Sequence, residues 1–180
     1  MRKTAKFLIA LTLALTLMLV FRALAFTIYT IEGDALAPLL QKGDRVLVNR
    51  WSYGLRVGSD GALIGYTRIG RRAVGRGDIV AFENPQNTSQ VLICRCEALP
   101  GDTVESQGQR MVVPGLVNCA GRDHYWMEAI GTDNAIDSHT LGFISEELII
   151  GRVTTVVYSH NPDASLFSGW HSNRTLLSLD

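Results

Sequence analysis

The stretch from residue 32 to residue 54, EGDALAPLLQKGDRVLVNRWSYG, has the residue types of a loop that presents a site beside a β-sheet. Acidic and glycine residues at 32–34 are typical of a turn, Pro38 fixes the backbone, and residues 45–52 alternate as in a strand. A short loop beside a sheet edge is a common way to hold an extended peptide. Before Ser52, however, the stretch contains no serine, threonine or cysteine that can attack a carbonyl.

The three cysteines, Cys94, Cys96 and Cys119, do not make a disulfide framework or a zinc site. They are too few for the first and lack the spacing of the second. One disulfide that uses Cys119 is compatible with an oxidising compartment and leaves one free thiol. We expect no metal and no cofactor.

The charge is unevenly distributed along the 180 residues, although the formal net charge is zero. All 17 acidic residues lie from residue 32 onward, where they face 13 basic residues, so the body carries a net charge of −4. A mildly acidic body with scattered arginines argues against nucleic acid as a partner.

Residues 1–31 have the composition of a membrane anchor. Residues 7–21 are apolar apart from two threonines, and apolar character resumes after Arg22. A helix needs about 20 apolar residues to cross the hydrocarbon core, and an arginine near one end can reach the interface. Basic residues near the start predict a cytoplasmic N-terminus and a single-pass topology. The alternative is a signal peptide that is cleaved after Ala25, since residues 23–25 form an A-x-A site.

Residues 32–180 predict one mostly β domain of antiparallel strands, arranged as a sandwich or a partly open barrel. Residues 54–78 are glycine-rich and predict a loop or hairpin extension. No stretch past residue 32 sustains a helical apolar period over three turns. No chemistry can be assigned to residues 160–180. The predicted strands are 45–52, 79–82, 90–99, 103–105, 111–113 and 149–158, with a last strand in NRTLLSL.

Five segments occur in the order found in bacterial type I signal peptidases, which are membrane-anchored serine peptidases with a Ser-Lys dyad. EGDALAPLL is similar to the family's nucleophile box, PSxSMxPTL, and GDRVLVNRWSYG resembles GDxxxVxKxxYG. GRGDIVAFENP and ICRCEALPGDTVE resemble the RGDIVVFxxP and KRVxGLPGDxV segments. TDNAIDSHTLGFISEELIIGRV resembles the closing GDN, DSR and GxV elements. The resemblance covers the chain from the anchor to about residue 152 and implies a signal-peptidase-like fold.

The resemblance also implies that the catalytic residues of the family are absent. It places Ala35 at the nucleophilic serine and Cys94 at the general-base lysine. Gly33 takes the place of a serine whose hydroxyl helps to stabilise the oxyanion, and Arg95 matches the family's arginine. Loss of one such oxyanion donor costs a few kcal/mol of transition-state stabilisation. The resemblance therefore predicts a catalytically degenerate member.

No other residue of the sequence is a clear replacement for the base. Besides two lysines in the N-terminal segment the chain has only Lys42, at a turn where solvent keeps it charged. His139, which takes the place of the arginine in the DSR element, is a candidate base for the Cys94 thiol. The alternative interpretation is that Cys94 is a small buried hydrophobic residue.

The resemblance further implies a groove that takes the small residues of a signal peptide as an added strand. Its predicted lining consists of Asp34, Ala35, Leu36 and Pro38, with Asp137 and Ser138 in support. Simpler roles remain open for most motif residues. Pro38, Gly43 and Gly101 can shape turns, Asp137 and Ser138 can cap or brace a loop, and Trp51 and Tyr53 can belong to the core. Trp51 also suits a membrane interface.

These observations predict a protein of the signal peptidase I type that is anchored in the inner (plasma) membrane, with its body on the periplasmic side and without peptidase activity. Its expected partners are membrane lipid and either the signal-peptide region of exported proteins or an active paralogue. The alternatives are an active signal peptidase with an unorthodox dyad or an engineered serine-to-alanine change, and a structural subunit of a secretion assembly.

Overall fold

The structure, a computed structural model, describes residues 2–33, 36–58, 65–131, 136–160 and 169–179. Within these ranges the helices and strands are, in chain order, α1 (Arg2–Ala25), β1 (Phe26–Thr30), β2 (Asp44–Asn49), β3 (Leu55–Val57), β4 (Thr67–Ile69), β5 (Ile79–Asn84), β6 (Asn87–Ala98), β7 (Thr103–Ser106), β8 (Gln109–Val112), β9 (His124–Glu128), α2 (Ser138–Leu141), β10 (Ile144–Ser145), β11 (Ile149–Ser159) and β12 (Leu177–Ser178).

The main sheet has the strand order β1-β2-β11-β5-β6-β9-β10, and β12 pairs with β11. Its neighbouring strands are antiparallel. The pairs β3–β4 and β7–β8 form two separate small hairpins. The prediction of a mostly β, antiparallel body is confirmed, and the β3–β4 pair lies within residues 54–78.

Three strands were not expected: β1, β9 and the two-residue β10, which pairs with β9. Residues 26–30, which the sequence assigns to the anchor, form β1 and pair with β2 over five residues. The helix therefore ends at Ala25, where the chain joins the sheet. Residues 124–128 form β9, whose central three residues are all buried. A strand that is covered on both faces loses the alternation by which strands are detected in a sequence.

Helix α1 carries large apolar side chains that are exposed along most of its length, among them Phe7, Leu13 and Leu17 at 68–70%. The backbone N–H of Arg50 donates to the carbonyl of Ala25, which holds the end of the helix to the turn after β2. Among the described residues, no helix has the length and apolarity needed to cross a membrane. The predicted transmembrane helix is therefore not confirmed.

The core lies on both faces of the main sheet. Alternate residues of a strand point to opposite faces, and β5 divides accordingly, with Val80 and Phe82 on one side and Ile79 and Ala81 on the other. The first core cluster contains Tyr53, Val74, Val80, Phe82, Cys94, Cys96, Tyr125, Met127, Ile144 and Ile149. The second core cluster contains Leu36, Leu40, Val46, Val48, Ile79, Ala81, Ile150, Val153 and Val156.

A buried ion pair ties the C-terminal segment to the loop after β1. Arg174 donates to both carboxylate oxygens of Asp44, over 2.6 and 3.2 Å, and to the carbonyl of Leu39 over 2.7 Å. The Asp44 side chain is fully buried. Burial by itself would raise the pKa of Asp44, but hydrogen bonds from Arg174, Ser159 and the backbone of Gln41 outweigh it and lower the pKa.

Candidate functional site

The loop that corresponds to the nucleophile box rests on the second core cluster. Leu36 is 3% exposed and Leu40 is completely buried there, whereas Pro38 is exposed. A side chain built at Gly33 would meet nothing within 4 Å. The positions predicted for the nucleophile and its neighbour, Ala35 and Asp34, lie outside the described residues. Peptide binding by this loop stays a prediction.

Cys94 lies in β6, and its side chain belongs to the first core cluster on the opposite face of the sheet from Leu36. Its Sγ is 3.8 Å from the carbonyl oxygen of Ile136. Burial, and secondarily the nearby carboxylate of Asp137, raise the pKa of the Cys94 thiol to about 12. The thiol is therefore protonated near neutral pH, and it acts neither as a nucleophilic thiolate nor as a base. This agrees with the interpretation of Cys94 as a small buried hydrophobic residue.

Asp137 and Ser138 fix the start of α2. The Asp137 carboxylate accepts from the backbone N–H of His139 over 2.9 Å, and the hydroxyl of Ser138 accepts from the backbone N–H of Met127 over the same distance. These bonds cap the short helix and attach it to β9. Both residues are buried. The capping and bracing role that the sequence allows for them is confirmed.

The imidazole of His139 contacts Ser106 and Glu128, whereas the sequence hypothesis places it next to Cys94. Its Nδ1 lies 3.2 Å from the hydroxyl of Ser106, and its Nε2 lies 3.5 Å from a carboxylate oxygen of Glu128. The ring also packs edge-on against Trp126, with centroids 5.3 Å apart. No hydrogen bond joins His139 to Cys94 in the part of the chain that is described. The hypothesis of a His139 base acting on Cys94 stays a prediction, and the contacts of the imidazole are with Ser106 and Glu128.

Other residues of the motifs hold the scaffold together. The hydroxyl of Tyr53, a core residue, donates to Asp78 over 2.8 Å, and Asp78 also faces Arg152 at 3.3 Å. Asp102 of the LPGD segment accepts from the backbone N–H of Leu99 over 2.7 Å, which closes that turn. This backbone hydrogen bond is the main cause that lowers the pKa of Asp102.

The remaining motif residues lie in turns, in the contact between α1 and the body, or within a strand. Gly43 and Gly101 have positive φ angles of 93° and 91°, which confirms their role in turns. Trp51 is 43% exposed and lies against Phe21 of α1, with ring centroids 5.7 Å apart, so it belongs to the contact between the helix and the body rather than to the core. Arg95 is half-buried in β6 opposite Glu128 of β9.

The cysteines are free thiols. Cys94 and Cys96 are buried, whereas Cys119 is exposed on a turn. The disulfide that the sequence allows is not formed, because its expected partner residues lie inside the core.

Among the described residues, the stretch of β6 around Cys94 has a strand partner on one side only. Strand β5 pairs with β6 from Asn87 to Arg95, but on the other side of β6 the partner β9 pairs only with Arg95, Cys96 and Ala98. Cys96 exchanges backbone hydrogen bonds with Gly77 and Asp78, on the β5 side.

Hydrogen-bonding direction alternates along an antiparallel strand. The backbone groups of Ile93 and Val91 therefore point to the side away from β5. No strand of the described chain pairs with β6 on this side.

A family comparison agrees with this architecture. The model of the family described as "Signal peptidase, peptidase S26" matches residues 4–118. The chain belongs to the signal peptidase family, peptidase S26. The resemblance inferred from the five sequence segments is confirmed.

Relatives in the S26 family include mitochondrial and bacterial proteins. Mitochondrial inner membrane protease subunit 2 of Saccharomyces cerevisiae is 28% identical over 132 residues, which cover 71% of this chain and 66% of that protein. Its counterpart in Mus musculus is 29% identical over 136 residues, covering 71% and 65%. Signal peptidase I of Pseudomonas aeruginosa is 31% identical over 102 residues, covering 56% and 34%. The match thus spans about two thirds of the mitochondrial relatives and a third of the bacterial one.

Sequence reasoning did not find two residues of this region, Ser106 and Glu128. They lie in different segments from His139, and neither stands at a position of the family dyad. Only the pairing of β9 and the position of the β7–β8 hairpin bring them together.

Proposed function

We propose that this S26 family member binds extended peptide segments, such as the signal-peptide region of exported proteins, without the family's Ser-Lys peptidase chemistry. The observation that carries the proposal is the buried, protonated thiol of Cys94, a residue that the resemblance places at the general-base position. A Ser-Lys dyad needs an amine that is neutral near pH 7 at this place. A thiol with a pKa of about 12 does not take up the proton of a hydroxyl.

The side of β6 that has no strand partner among the described residues supports the binding half of the proposal. An extended peptide that adds to a sheet edge gains main-chain hydrogen bonds, and pockets for alternate side chains give specificity. The backbones of Val91 and Ile93 offer these bonds next to Cys94. Small residues of the peptide would then face the predicted lining Asp34, Ala35, Leu36 and Pro38, with Pro38 exposed at its rim.

Membrane lipid is the second proposed partner. Large exposed apolar surfaces of soluble proteins normally mark an interaction site, and α1 exposes apolar side chains over most of its length. The basic residues near its start suit anionic headgroups. The relatives from yeast and mouse are named as mitochondrial inner membrane proteases, which supports membrane association for this chain.

Binding and cleavage can be measured on one sample. The full chain in detergent micelles is titrated with a fluorescent peptide that spans a signal-peptide cleavage region, and the mixture is then analysed by mass spectrometry. We expect saturable binding and an intact peptide. A matched peptide that is N-methylated at alternate backbone positions should bind at least about tenfold more weakly, since lost strand hydrogen bonds are worth about 1 kcal/mol each.

Two results would contradict the proposal. Cleavage of the unmodified peptide would show that peptidase chemistry remains. Equal binding of the peptide with and without N-methyl groups would show that the edge of β6 is not the binding site.

Restoration of the dyad is a complementary test. Position 94 is buried, so a lysine there loses the solvation that normally keeps it charged, and a serine fits at position 33 because that space is open. The triple change Gly33→Ser, Ala35→Ser and Cys94→Lys is expected to restore measurable cleavage. The control is the same change with Cys94→Met, which lacks a base and should remain inactive. A stably folded triple variant without activity would show that the geometry of the loop has diverged as well.

A second candidate is assembly with an active paralogue. It is favoured by one observation, that the mitochondrial relatives are named as a protease subunit. Crosslinking from residue 35 in whole cells distinguishes peptide binding from assembly with an active paralogue. Adducts with preproteins support peptide binding, and adducts with one stable protein partner support assembly.

A further inference from the structure

A cleft of about 210 Å³ lies between the β7–β8 hairpin and the loop that carries α2. Ser106 and His139 line it together with Met111 and Trp126, and the polar amides of Gln107 and Gln109 stand at its wall. It is separate from the side of β6 that lacks a described strand partner, and none of these residues belongs to the family's Ser-Lys dyad.

Two side chains that line this cleft, Ser106 and His139, form a continuous chain of contacts with the neighbouring Glu128. The hydroxyl of Ser106 is 3.2 Å from Nδ1 of His139, and Nε2 of His139 is 3.5 Å from Oε1 of Glu128. Glu128 is itself fixed, because its Oε1 accepts from the indole N–H of Trp126 over 2.7 Å. A nucleophile in reach of a base that is oriented by a third group is the arrangement that activates serine in hydrolases.

The network also assigns the tautomer of the imidazole. A carboxylate opposite Nε2 favours the proton on that nitrogen, so Nδ1 keeps its lone pair and accepts the O–H of Ser106. The edge-on contact with Trp126 holds the ring plane. The imidazole side chain is 48% exposed and that of Glu128 36%. Ser106 itself is 7% exposed and lies at the inner end of the chain of contacts.

We propose that Ser106, His139 and Glu128 form a hydrolytic centre for short, uncharged carboxylic esters. Ser106 Oγ forms a bond to the acyl carbon while its proton moves to Nδ1 of His139. The tetrahedral intermediate then loses its alcohol, which leaves with the proton from Nδ1. Water attacks the acyl-serine, gives a proton to Nδ1, and releases the carboxylic acid as the proton returns to Ser106.

The dimensions and lining of the cleft set the substrate class. Its volume lies below the range of about 300–1,000 Å³ that is usual for drug-sized ligands, so it takes only a small acyl group. Met111 and Trp126 offer an apolar surface to that group. The side-chain amides of Gln107 and Gln109 supply N–H donors for the developing oxyanion. Glu128 disfavours an anionic substrate.

The test uses the full chain in detergent with p-nitrophenyl acetate and a fluorophosphonate that labels activated serines. Hydrolysis should be saturable, and the fluorophosphonate adduct should map to Ser106 by mass spectrometry. Ser106→Ala and His139→Gln should each reduce kcat/KM by at least about 100-fold, the range of general acid–base catalysis. Glu128→Gln, which changes a positioning residue, should lower kcat and leave KM unchanged. Ser52→Ala serves as the matched control and should hydrolyse the ester at the unaltered rate.

The outcomes separate clearly. An adduct on any residue other than Ser106 in the unaltered chain would overturn the proposal, and this experiment does not depend on the folding of a variant. Unchanged hydrolysis by Ser106→Ala, with circular dichroism showing a folded protein, would overturn it too. Peptide cleavage that persists in Ser106→Ala would contradict the proposed non-catalytic function alone, whereas ester hydrolysis with an intact peptide supports both, so the two proposals fail independently.

Discussion

Replacement of Arg174 by methionine tests whether the C-terminal segment holds the loop after β1 in place. The change preserves much of the side-chain length but removes both hydrogen bonds to Asp44 and the one to Leu39. Asp44 is fully buried and the arginine is 14% exposed, so solvent cannot readily replace the lost partner. Loss of one partner from a buried ion pair costs about 3–5 kcal/mol. We expect about 3 kcal/mol, since the arginine side chain is not completely enclosed.

The assay is urea unfolding of the full chain in detergent, followed by tryptophan fluorescence. For a protein of this size the free energy of unfolding falls by about 1–3 kcal/mol per molar urea. A loss of about 3 kcal/mol should therefore lower the urea concentration at the unfolding midpoint by at least about 1 M. The effect should depend on pH. Because the folded state lowers the pKa of Asp44, this carboxylate contributes stability above its unfolded pKa of about 3.9, and the contribution is lost as the pH falls through the folded value. The difference in free energy of unfolding between the unaltered chain and Arg174→Met should therefore become smaller below about pH 4.

The matched control is Arg110→Met, which removes an exposed ion pair with Glu105 at 3.7 Å. Exposed pairs contribute about 0–1 kcal/mol, so this variant should unfold close to the unaltered midpoint. If Arg174→Met also lowers the free energy of unfolding by less than about 1 kcal/mol, the Arg174–Asp44 pair does not behave as a buried pair and the reasoning is refuted.

Three further predictions concern the core. A thiol-alkylating reagent applied to the folded chain at neutral pH should modify Cys119 and spare Cys94, because burial raises the pKa of the Cys94 thiol to about 12. Mass spectrometry measures the modification, and equal modification of both cysteines would contradict the prediction. Gly151→Ala should lower the free energy of unfolding by about 1–3 kcal/mol, since its Cβ would overlap the backbone of the facing strand, whereas Gly33→Ala should change it little. Tyr53→Phe should lower the free energy of unfolding by about 1.5–3 kcal/mol in the same urea assay, because the hydroxyl of Tyr53 donates to the carboxylate of Asp78. A smaller decrease would mean that water replaces this hydrogen bond.

Much of the fold could be predicted from the sequence. Residues 45–49 alternate between buried and less buried positions in the strand, and residues 79–82 form a strand as expected. Glycines at 43 and 101 mark turns because positive φ angles favour residues without a Cβ. Local patterns of this kind depend on neighbours in the chain, and these are visible in a single sequence.

The candidate sites could be predicted only in part. The order of motifs placed Cys94 at the base position, and its residue type already argued against dyad chemistry. The sequence could not show which hydroxyl or thiol His139 faces, because that depends on pairing between segments more than 30 residues apart. It therefore left His139 as a candidate base for Cys94, beside the interpretation of Cys94 as a buried hydrophobic residue, whereas the structure shows the imidazole next to Ser106.

The sequence by itself determined the family and the antiparallel β character of the body, because these follow from residue types and their order. It also predicts the absence of a Ser-Lys dyad. The tertiary structure decided the rest. Within the described ranges β9 pairs with β6 only from Arg95 to Ala98, and the β7–β8 hairpin brings Ser106 to His139. Strand register and the packing of hairpins are long-range properties, and no local pattern encodes them.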